Sequence, residues 1–434
     1  MKILLIAPHF FPDEHIGASR WNRLSKYLIR DGHEIYVIAS NIISDSNKSQ
    51  RSTKLVRVDY RNSGLDQFLS HLRGVKKSWP AEIKRQNTSL KNESKSSSLY
   101  TNFINYIGKY LRFPGVYWWS SKDIIKKGVQ IVNSEDIDII IATFPFSVSI
   151  SSAHNISKKT KTPWIADMRD GWSSYYFGEY KKGTFLFKIL KQVERFYLNS
   201  ALSVVTISKT LANSICVRDH KIVIIPNVFD PEEQKMIKTK VANNNPNISF
   251  SFAGSVHDKH CWEIFFEGLS EIGKSMPIDN VVVNYYGNYF KKVQEKRNKF
   301  DLYKSIISNH GYVEKKNLMI ELSQSDILLV FGFKGAYGDS VTTGKIFDYI
   351  ELKKPVLVFG PKTSELAKLV EKTGIGLVIS NVEDSKAVLK TIIQNKDEFK
   401  KNMKEKIKYD EISKYSAPDA AKFYVDSINK LLKK

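Results

Sequence analysis

Short apolar runs rich in isoleucine and valine recur along the whole chain, separated by amphipathic stretches of helical length. Such runs are typical of strands buried on both faces, and these occur almost only in parallel sheets that helices cover on both sides. The first set lies at residues 3–7, 35–40, 55–58, 137–142, 164–166 and 204–207, and the second at 248–253, 281–285, 327–331, 356–359 and 376–379. The pattern predicts an α/β fold made of two Rossmann-like, doubly wound domains.

Length and composition agree with two such domains. The chain of 434 residues is roughly two to three times the usual domain size, and a hydrophobic content of 42% is enough for a substantial core. We expect the boundary between the two domains near the Ile-Pro-Asn tripeptide at 225–227. The sequence thus predicts an N-terminal domain at 1–222, a C-terminal domain at 223–415 and a final helix at 416–434. That helix either covers an exposed flank or crosses back to the N-terminal domain.

The chain carries a large excess of positive charge. Its 67 Lys and Arg residues against 45 Asp and Glu residues give a net charge of +22. Such a charge favours anionic partners, which include nucleic acid, an acidic membrane surface and phosphorylated substrates. Twelve of the basic residues and only three acidic ones lie between residues 72 and 127, so we treat this stretch as a separate basic region.

Sequence features also indicate the compartment. No apolar run approaches the roughly 20 residues of a membrane-spanning helix, and the first eight residues resemble a buried strand more than a signal peptide. The two cysteines, Cys216 and Cys261, are too few for a structural zinc site or a disulfide framework. We therefore expect a cytoplasmic protein.

Two familiar motifs are only superficial matches. The segment 338–345 resembles a nucleotide-binding P-loop, but it has five residues between its glycines instead of four, and Ile346 stands where Ser or Thr should bind magnesium. Asp136-Ile137-Asp138 matches the Asp-x-Asp pattern of metal-dependent sugar transferases. It lies at the start of an apolar strand, where acidic residues commonly mark a turn, so we interpret it as structural.

Two turns in the first half are candidate ligand sites, because both follow buried strands and ligands bind beyond the carboxyl ends of strands in doubly wound sheets. Gly17 opens a helix whose N–H groups can face a phosphate, although the turn could also be an ordinary capped loop. In the segment 167–172, Arg169 stands between two carboxylates. These charges form either a structural ion pair or a group aimed at a polar ligand. Asp167 has the more structural character, and Arg169 and Asp170 the more exposed one.

Two turns in the second half complete the set. Gly254 allows close approach of a ligand to the backbone, and Lys259 adds positive charge, although a loop lysine is as often merely solvated. In the segment 342–356, a Thr-Gly turn begins a short helix that leads into another buried strand. The helix N-terminus and Lys345 favour a diphosphate, and Asp348 can accept two hydrogen bonds from a ribose diol unless it is a plain surface carboxylate. Anion-binding turns in both halves predict a nucleotide diphosphate bound between two domains.

Seven short motifs follow one another along nearly the whole chain: Ile-Gly-Ala-Ser-Arg at 16–20, Asp-Met-Arg-Asp-Gly-Trp at 167–172, Val-Thr-Ile-Ser-Lys at 205–209, Ile-Pro-Asn-Val-Phe-Asp at 225–230, Phe-Ala-Gly-Ser at 252–255, Gly-Tyr-Val at 311–313 and Gly-Lys-Ile-Phe-Asp-Tyr-Ile at 344–350. In the order and spacing of these motifs the chain resembles the two-domain GT-B glycosyltransferases, and within them glycosyltransferase family 4. The Arg-Asp-x-Trp element at 169–172 is most similar to transferases of surface-polysaccharide assembly.

The resemblance implies a role for each candidate residue in an interdomain cleft. Arg169 and Asp170 would lie near the transferred sugar as the catalytic candidates, and Gly17 would complete the phosphate site. The nucleotide would be held in the second half, with the base near Tyr312 and Val313, the ribose at Asp348, and the diphosphate near Gly254, Lys259, Thr343, Gly344 and Lys345.

The implied reaction is transfer of a hexosyl or N-acetylhexosaminyl group with retention at the anomeric carbon. It requires no metal and no cofactor besides the nucleotide-sugar donor, for which a UDP-sugar is the first expectation. The implied acceptor is a glycan or a polyprenyl-diphosphate-linked precursor of bacterial surface polysaccharide. The basic region 72–127 interleaves aromatic residues with lysines and arginines, so we expect it to hold the protein on the anionic inner face of the plasma membrane.

The chain departs from the family pattern at two positions. Relatives commonly carry two glutamates separated by seven residues, where this chain has Ser340 and Asp348, and Ser255 replaces a usual arginine. Three alternatives therefore stay open: a nucleotide-sugar 2-epimerase, which needs no acceptor; a degenerate transferase that serves as an assembly partner; and a basic nucleic-acid-binding protein. No recognised nucleic-acid motif supports the last alternative, and we expect no specific nucleic-acid partner.

Overall fold

A computed structural model of the chain describes residues 1–13, 16–41, 53–60, 120–175, 183–215, 217, 221–236, 247–256, 259–287, 306–340 and 342–433. These residues form two compact units. Unit 1 combines Met1–Pro226 with Ala420–Lys434, and unit 2 is Asn227–Asp419. Most of the basic region, residues 72–119, lies outside the described residues together with its aromatic side chains.

Unit 1 is a parallel sheet covered by helices. Its strands are β1 (Lys2–Ile6), β2 (Glu34–Ser40), β3 (Thr53–Val58), β4 (Ile139–Thr143), β5 (Trp164–Met168), β6 (Ser203–Thr206) and β7 (Ile222–Ile224). Its helices are α1 (Ile16–Arg30), α2 (Ser121–Glu135), α3 (Ser147–Thr160), α4 (Trp172–Tyr175), α5 (Phe185–Ser200) and α6 (Lys209–Ser214). The strands stand in the order β3-β2-β1-β4-β5-β6-β7.

Unit 2 repeats this architecture. Its strands are β8 (Ile248–Ala253), β9 (Val281–Tyr286), β10 (Ile307–Gly311), β11 (Ile327–Phe331), β12 (Val356–Phe359) and β13 (Gly376–Ile379), in the order β10-β9-β8-β11-β12-β13. Its helices are α7 (Pro231–Met236), α8 (Trp262–Gly273), α9 (Lys315–Gln324), α10 (Gly335–Ser340), α11 (Lys345–Leu352), α12 (Glu365–Thr373), α13 (Val382–Gln394), α14 (Lys396–Glu405) and α15 (Tyr409–Ser413). The last helix, α16 (Ala417–Leu432), begins in unit 2 and enters unit 1 at Ala420.

Both sheets reverse their strand order at one point. In unit 1 the reversal lies at β1, which pairs with β2 on one side and with β4 on the other. In unit 2 it lies at β8, between β9 and β11. The loops that leave the adjacent strands in opposite directions open a crevice at such a point, where ligands of doubly wound sheets bind. The turns after β1 and β8 are therefore the places where the fold itself favours a ligand.

The predicted fold class is confirmed, and two edge strands are additions to it. β7 and β10 form parallel edges of the two sheets; β7 is a short apolar run, Ile-Val-Ile, that the sequence analysis did not assign to a strand, and β10 lacks a continuous apolar run. β10 reads Ile-Ser-Asn-His-Gly with three exposed residues, since an edge strand has one free side. No helix in the part of the chain that the structure describes is long and apolar enough to cross a membrane.

Candidate functional site

The turn after β8 holds the backbone of unit 2 in a conformation that only glycine adopts readily. Gly254 has a φ of +112°, its N–H donates to the carbonyl of Tyr286 at 2.7 Å, and its own carbonyl accepts from the Tyr285 hydroxyl at 2.7 Å. A Cβ atom at this position would overlap the Cε and Nζ atoms of Lys345. Glycine is thus required here both by the dihedral angle and by the close approach of the lysine.

Lys345 places a cation against this turn. Its Nζ lies 4.6 Å from the centroid of the Phe252 ring, a cation–π distance, and no carboxylate among the described residues pairs with it. Burial lowers the pKa of Lys345 to about 8, because an ammonium loses hydration without gaining a counter-charge. An anion next to Gly254 would supply that charge.

The N-terminus of α11 contributes less than the sequence suggested. The N–H of Lys345 donates to Thr343 Oγ1 at 3.2 Å, that of Ile346 to the Thr343 carbonyl, and that of Phe347 to the Gly344 carbonyl. These donors are therefore already used inside the turn. The positive character of this point comes from the Lys345 ammonium and from the helix dipole rather than from free N–H groups.

Asp348 lies one turn further along α11, among charges brought together from three helices. Lys315 Nζ of α9 is 3.8 Å from its carboxylate and 3.2 Å from that of Glu233 in α7. Oxygen atoms of Glu233, Asp348 and the buried Glu351 all lie within 4.8 Å of one another. Such a group of carboxylates accepts hydrogen bonds from sugar hydroxyls and repels phosphates, so the two ends of α11 differ in the ligand groups they favour.

The remaining predicted residues of unit 2 occupy different environments. Tyr312 follows β10 with its side chain 74% exposed, and Val313 packs partly buried against the core of the unit. Lys259 is exposed, and its carbonyl accepts from the N–H of Lys334 at 2.6 Å. Within unit 2 the structure brings Gly254, Thr343, Gly344 and Lys345 into one cluster. Tyr312, Val313 and Lys259 have no contact with it that the structure records among the described residues.

Asp167 of unit 1 belongs to a buried ion pair. It is fully buried at the end of β5 and accepts from Arg20 Nε and Nη2 at 3.2 Å each and from Trp21 Nε1 at 2.7 Å. Arg20 also donates to the carbonyls of Ile225 and Pro226 at 3.0 and 2.5 Å, where the chain leaves unit 1. The geometry gives Asp167 a structural role, which joins α1, β5 and the end of the unit.

Arg169 and Asp170 are only partly buried and have a different surrounding. Arg169 donates through Nε to the Phe144 carbonyl at 3.0 Å and through Nη1 to the Gly17 carbonyl at 2.6 Å, while Nη2 has no partner within the described ranges. Burial lowers the pKa of Arg169, and burial raises that of Asp170 against the opposing effect of Arg169. The structure thus brings Arg169 and Gly17 together and leaves one guanidinium nitrogen for a ligand.

A buried carboxyl group in α5 holds the segment that follows. Glu194 is fully buried, and its Oε2 accepts from the Ser173 N–H at 3.3 Å, at the first turn of α4. Burial raises the pKa of Glu194 although these hydrogen bonds oppose the shift. Sequence reasoning missed Glu194, Lys315 and Glu351. A glutamate or lysine within a helix carries no local signal of its tertiary partner, so only the fold identifies them.

Asp136 and Asp138 are part of a turn, which agrees with their structural interpretation. Asp136 ends α2 in the left-handed conformation with a φ of 52°, and Asp138 Oδ2 accepts from the N–H of Lys2 at 2.7 Å. These contacts attach the turn to the start of β1. Neither carboxylate lies in the cluster of Glu233, Asp348 and Glu351.

Comparisons with known proteins identify the architecture. No protein-family model and no curated protein sequence matches the chain. Among solved structures, HepE of Anabaena in complex with UDP is 13% identical, with a TM-score of 0.64 over 99% of this chain and 100% of that chain. Sucrose-phosphate synthase of Thermosynechococcus elongatus is 10% identical, with a TM-score of 0.64 over 100% and 99% of the two chains.

A third structure with this architecture has a title that names another activity. The putative UDP-N-acetylglucosamine 2-epimerase of Listeria monocytogenes is 12% identical, with a TM-score of 0.57 over 100% of this chain and 96% of that chain. At such low identities the likeness concerns the fold alone. Together with the two parallel sheets and their covering helices, these full-length matches show that the chain has the GT-B fold.

Proposed function

We propose that this protein is a glycosyltransferase that takes a sugar from a UDP-sugar and transfers it to a glycan or a polyprenyl-diphosphate-linked acceptor. The transfer retains the anomeric configuration, needs no metal and serves the synthesis of bacterial surface polysaccharide at the inner face of the plasma membrane. Complexes of HepE with UDP, with UDP-glucose and with UDP and glucose support the choice of donor class.

The partly buried cation at Lys345 is the observation that carries this proposal. The ammonium lies beside Gly254, at the reversal point of the sheet, in a place where a bound diphosphate would relieve its cost of burial. Breaking the bond between the anomeric carbon and the diphosphate leaves negative charge on the departing phosphate. A cation held at that position stabilises the charge in the transition state, which is the role that a metal ion has in other transferases.

The further residues take the roles that the family resemblance implies. Asp348 accepts hydrogen bonds from the ribose diol, and the diphosphate binds toward Gly254, Thr343, Gly344 and Lys345, with Lys259 adding positive charge. Tyr312 and Val313 contact the base. On unit 1, Arg169 and Asp170 contact the transferred sugar, and Gly17 faces a phosphate.

Titration calorimetry of UDP, GDP and ADP in the presence of EDTA tests the donor site. We expect saturable binding of UDP, weakened at least about tenfold by Lys345→Ala, because a hydrogen bond to a charged group contributes about 1.5–3 kcal/mol. Lys390→Ala on α13 removes an exposed lysine of the same unit and should leave the affinity unchanged. Binding that requires a divalent cation would contradict the metal-independent site.

The ribose assignment is tested with 2′-deoxy-UDP. If Asp348 accepts from the diol, Asp348→Ala should weaken UDP about tenfold or more while changing the affinity for 2′-deoxy-UDP much less. Equal losses for the two nucleotides would show that Asp348 acts on affinity without contacting the 2′-hydroxyl.

The second candidate function is a nucleotide-sugar 2-epimerase, which the Listeria structure favours by its title. The two reactions differ in the need for an acceptor. Proton NMR of UDP-N-acetylglucosamine incubated with the protein alone distinguishes them, since an epimerase forms the 2-epimer without any acceptor. We expect no epimer to form.

A further inference from the structure

Helix α5 presents two phenylalanine rings to solvent. Phe185 is 77% exposed and Phe196 is 61% exposed, whereas Phe187, Leu190 and Leu198 of the same helix are buried in unit 1. Residues 11 apart are separated by about three helical turns, so Phe185 and Phe196 lie on one face, about 16 Å apart. Exposed large rings are costly in water, and two on one face indicate a surface with a partner.

Positive charge accompanies these rings. Lys188 and Arg195 are exposed on α5, and neither forms an ion pair within the described part of the chain. The single acidic residue of α5, Glu194, is fully buried on the opposite face. The exposed face of this helix therefore carries cations and aromatic rings and no carboxylate.

The neighbouring helix α3 extends the same surface. His154 of α3 packs between the rings of Phe196 and Tyr197, with centroid distances of 5.3 and 5.2 Å. Lys158 and Lys159 follow one turn later, both exposed, and α3 contains no acidic residue. We define the α5 surface by its residues: Phe185, Lys188, Gln192, Arg195 and Phe196 of α5 with Lys158 and Lys159 of α3.

The helix layer also continues toward the basic region. α2 begins at Ser121, directly after residues 72–119, and packs against α3, which in turn packs against α5. Three exposed lysines of α2, namely Lys122, Lys126 and Lys127, belong to the basic region itself. Cations thus occur on all three adjacent helices of this layer.

We propose that the α5 surface docks onto an anionic phospholipid membrane. Aromatic rings insert at the boundary between headgroups and acyl chains, while lysine and arginine side chains contact lipid phosphates. At a bilayer interface, rings and cations on one helix face contact acyl chains and lipid phosphates together, and the face with Phe185 and Phe196 carries both, with Lys188 and Gln192 between the rings. A nucleic acid would use the cations of this surface, but a phospholipid also uses both exposed rings.

This inference rests on the proposed function, because a lipid-linked acceptor is the reason for the protein to approach a membrane.

Vesicle flotation tests the inference directly, with vesicles of phosphatidylcholine alone and vesicles of phosphatidylcholine mixed with phosphatidylglycerol. We expect the full chain to bind the anionic vesicles and to be released by added salt. Lys188→Gln/Arg195→Gln should weaken this binding at least tenfold, since each cation near the surface contributes about 1 kcal/mol. Phe185→Ser should weaken it about tenfold, because a buried aromatic ring is lost.

Matched controls separate the α5 surface from net charge and from hydrophobicity in general. Lys390→Gln/Lys401→Gln removes two exposed lysines of unit 2, and Phe423→Ser removes a half-exposed ring of α16. Both should bind vesicles like the unchanged protein. Equal losses of vesicle binding in the test and control variants, or no loss in the α5 variants, would overturn the proposal. It would also be overturned if the α5 variants lost binding to single-stranded DNA while their vesicle binding stayed intact. UDP titration of the same variants reports on the donor site independently.

Discussion

At the scale of single residues, the central feature is Lys345, a lysine that the protein partly buries at a cost. A lysine whose pKa is lowered to about 8 destabilises the free protein at neutral pH, because its charge is poorly compensated. The stability lost in this way returns gradually as pH rises from the folded-state pKa of about 8 to the unfolded-state value of 10.5, above which the lysine is neutral in both states. Residues kept in such an unfavourable state commonly belong to functional sites. Lys345 is therefore a stronger candidate than the exposed Lys259, which sequence reasoning already treats as being as often merely solvated.

We predict that UDP binding couples to the protonation of Lys345. The free lysine loses its proton as pH rises through about 8, and a bound diphosphate raises its pKa, so UDP affinity should fall about tenfold per pH unit above that value. Calorimetry at pH 8 in buffers of different ionisation enthalpy should show proton uptake on binding. Lys345→Met should lose both the pH dependence and the proton uptake. A profile that is unchanged in this variant would assign the dependence to another group.

Ligand-free Lys345→Met also has an expected stability. It removes the buried charge, so its free energy of unfolding near pH 7 should exceed that of the unchanged protein by on the order of 2 kcal/mol. The difference should shrink as pH rises toward the unfolded-state pKa of 10.5, because the lysine of the unchanged protein is then increasingly neutral in the unfolded state as well. Urea unfolding at several pH values measures it, and a destabilised variant would indicate that the lysine side chain packs favourably despite its charge.

At the scale of secondary-structure elements, helix α5 of unit 1 anchors the first turn of helix α4 through one hydrogen bond. Glu194 of α5 accepts the N–H of Ser173, so the short helix α4 is attached to α5 directly after Arg169 and Asp170. α4 has only four residues and gains little from its own hydrogen bonds, so this contact contributes much of its order. The orientation of the candidate catalytic segment thus depends on a carboxyl group in a different helix.

Two substitutions of Glu194 should have opposite effects on stability. Burial raises the pKa of this carboxyl, so its contribution to the free energy of unfolding declines as pH rises from the unfolded-state pKa through the folded-state pKa. Glu194→Gln keeps an acceptor and cannot ionise, so its stability relative to the unchanged protein should increase as pH rises through the folded-state pKa of Glu194. Glu194→Leu leaves the Ser173 N–H without an acceptor and should lose about 1–3 kcal/mol. Urea unfolding measures both, and a pH-independent Gln variant would contradict the raised pKa.

At the scale of the whole molecule, the last helix closes the first unit. α16 enters unit 1 at Ala420, and its buried Tyr424 ring meets Trp21 edge-on with the centroids 5.5 Å apart. Trp21 in turn donates to Asp167, so the C-terminal helix covers the buried ion pair at the end of β5. The core of unit 1 is thus completed by residues that follow unit 2 in the chain.

The Tyr424 ring and its hydroxyl should contribute differently to stability. The hydroxyl has no hydrogen-bond partner among the described residues, so Tyr424→Phe should be neutral or stabilise the protein by up to about 1 kcal/mol. Tyr424→Ala should cost about 3–5 kcal/mol, because it leaves a cavity over Trp21. Urea unfolding monitored by tryptophan fluorescence compares the two. A mild effect of the Ala variant would show that α16 adds little to unit 1.

Residue patterns predicted most of the fold for a simple physical reason. A strand buried on both faces packs against apolar neighbours, so its own residues are apolar and can be recognised in the sequence. The two sets of apolar runs correspond to strands of the two parallel sheets. β10 is an edge strand with three exposed residues, and its composition does not indicate a sheet, whereas β7 is apolar but only three residues long. Of the candidate site residues, Asp348 shows the limit, because its neighbour Lys315 belongs to another helix and no spacing rule relates the two.

The sequence by itself determined the α/β class, the parallel strands and the turns at which a ligand could bind. Buried strands appear in the sequence as apolar runs, and turns with unusual backbone conformations appear as glycines. Only the tertiary structure decided which charges are paired. It buried Asp167 against Arg20, 147 residues away, and it set Lys345 beside Gly254 without a carboxylate among the described residues. Pairing depends on which side chains the topology brings within a few ångströms, and that distance is a property of the folded chain rather than of any segment of it.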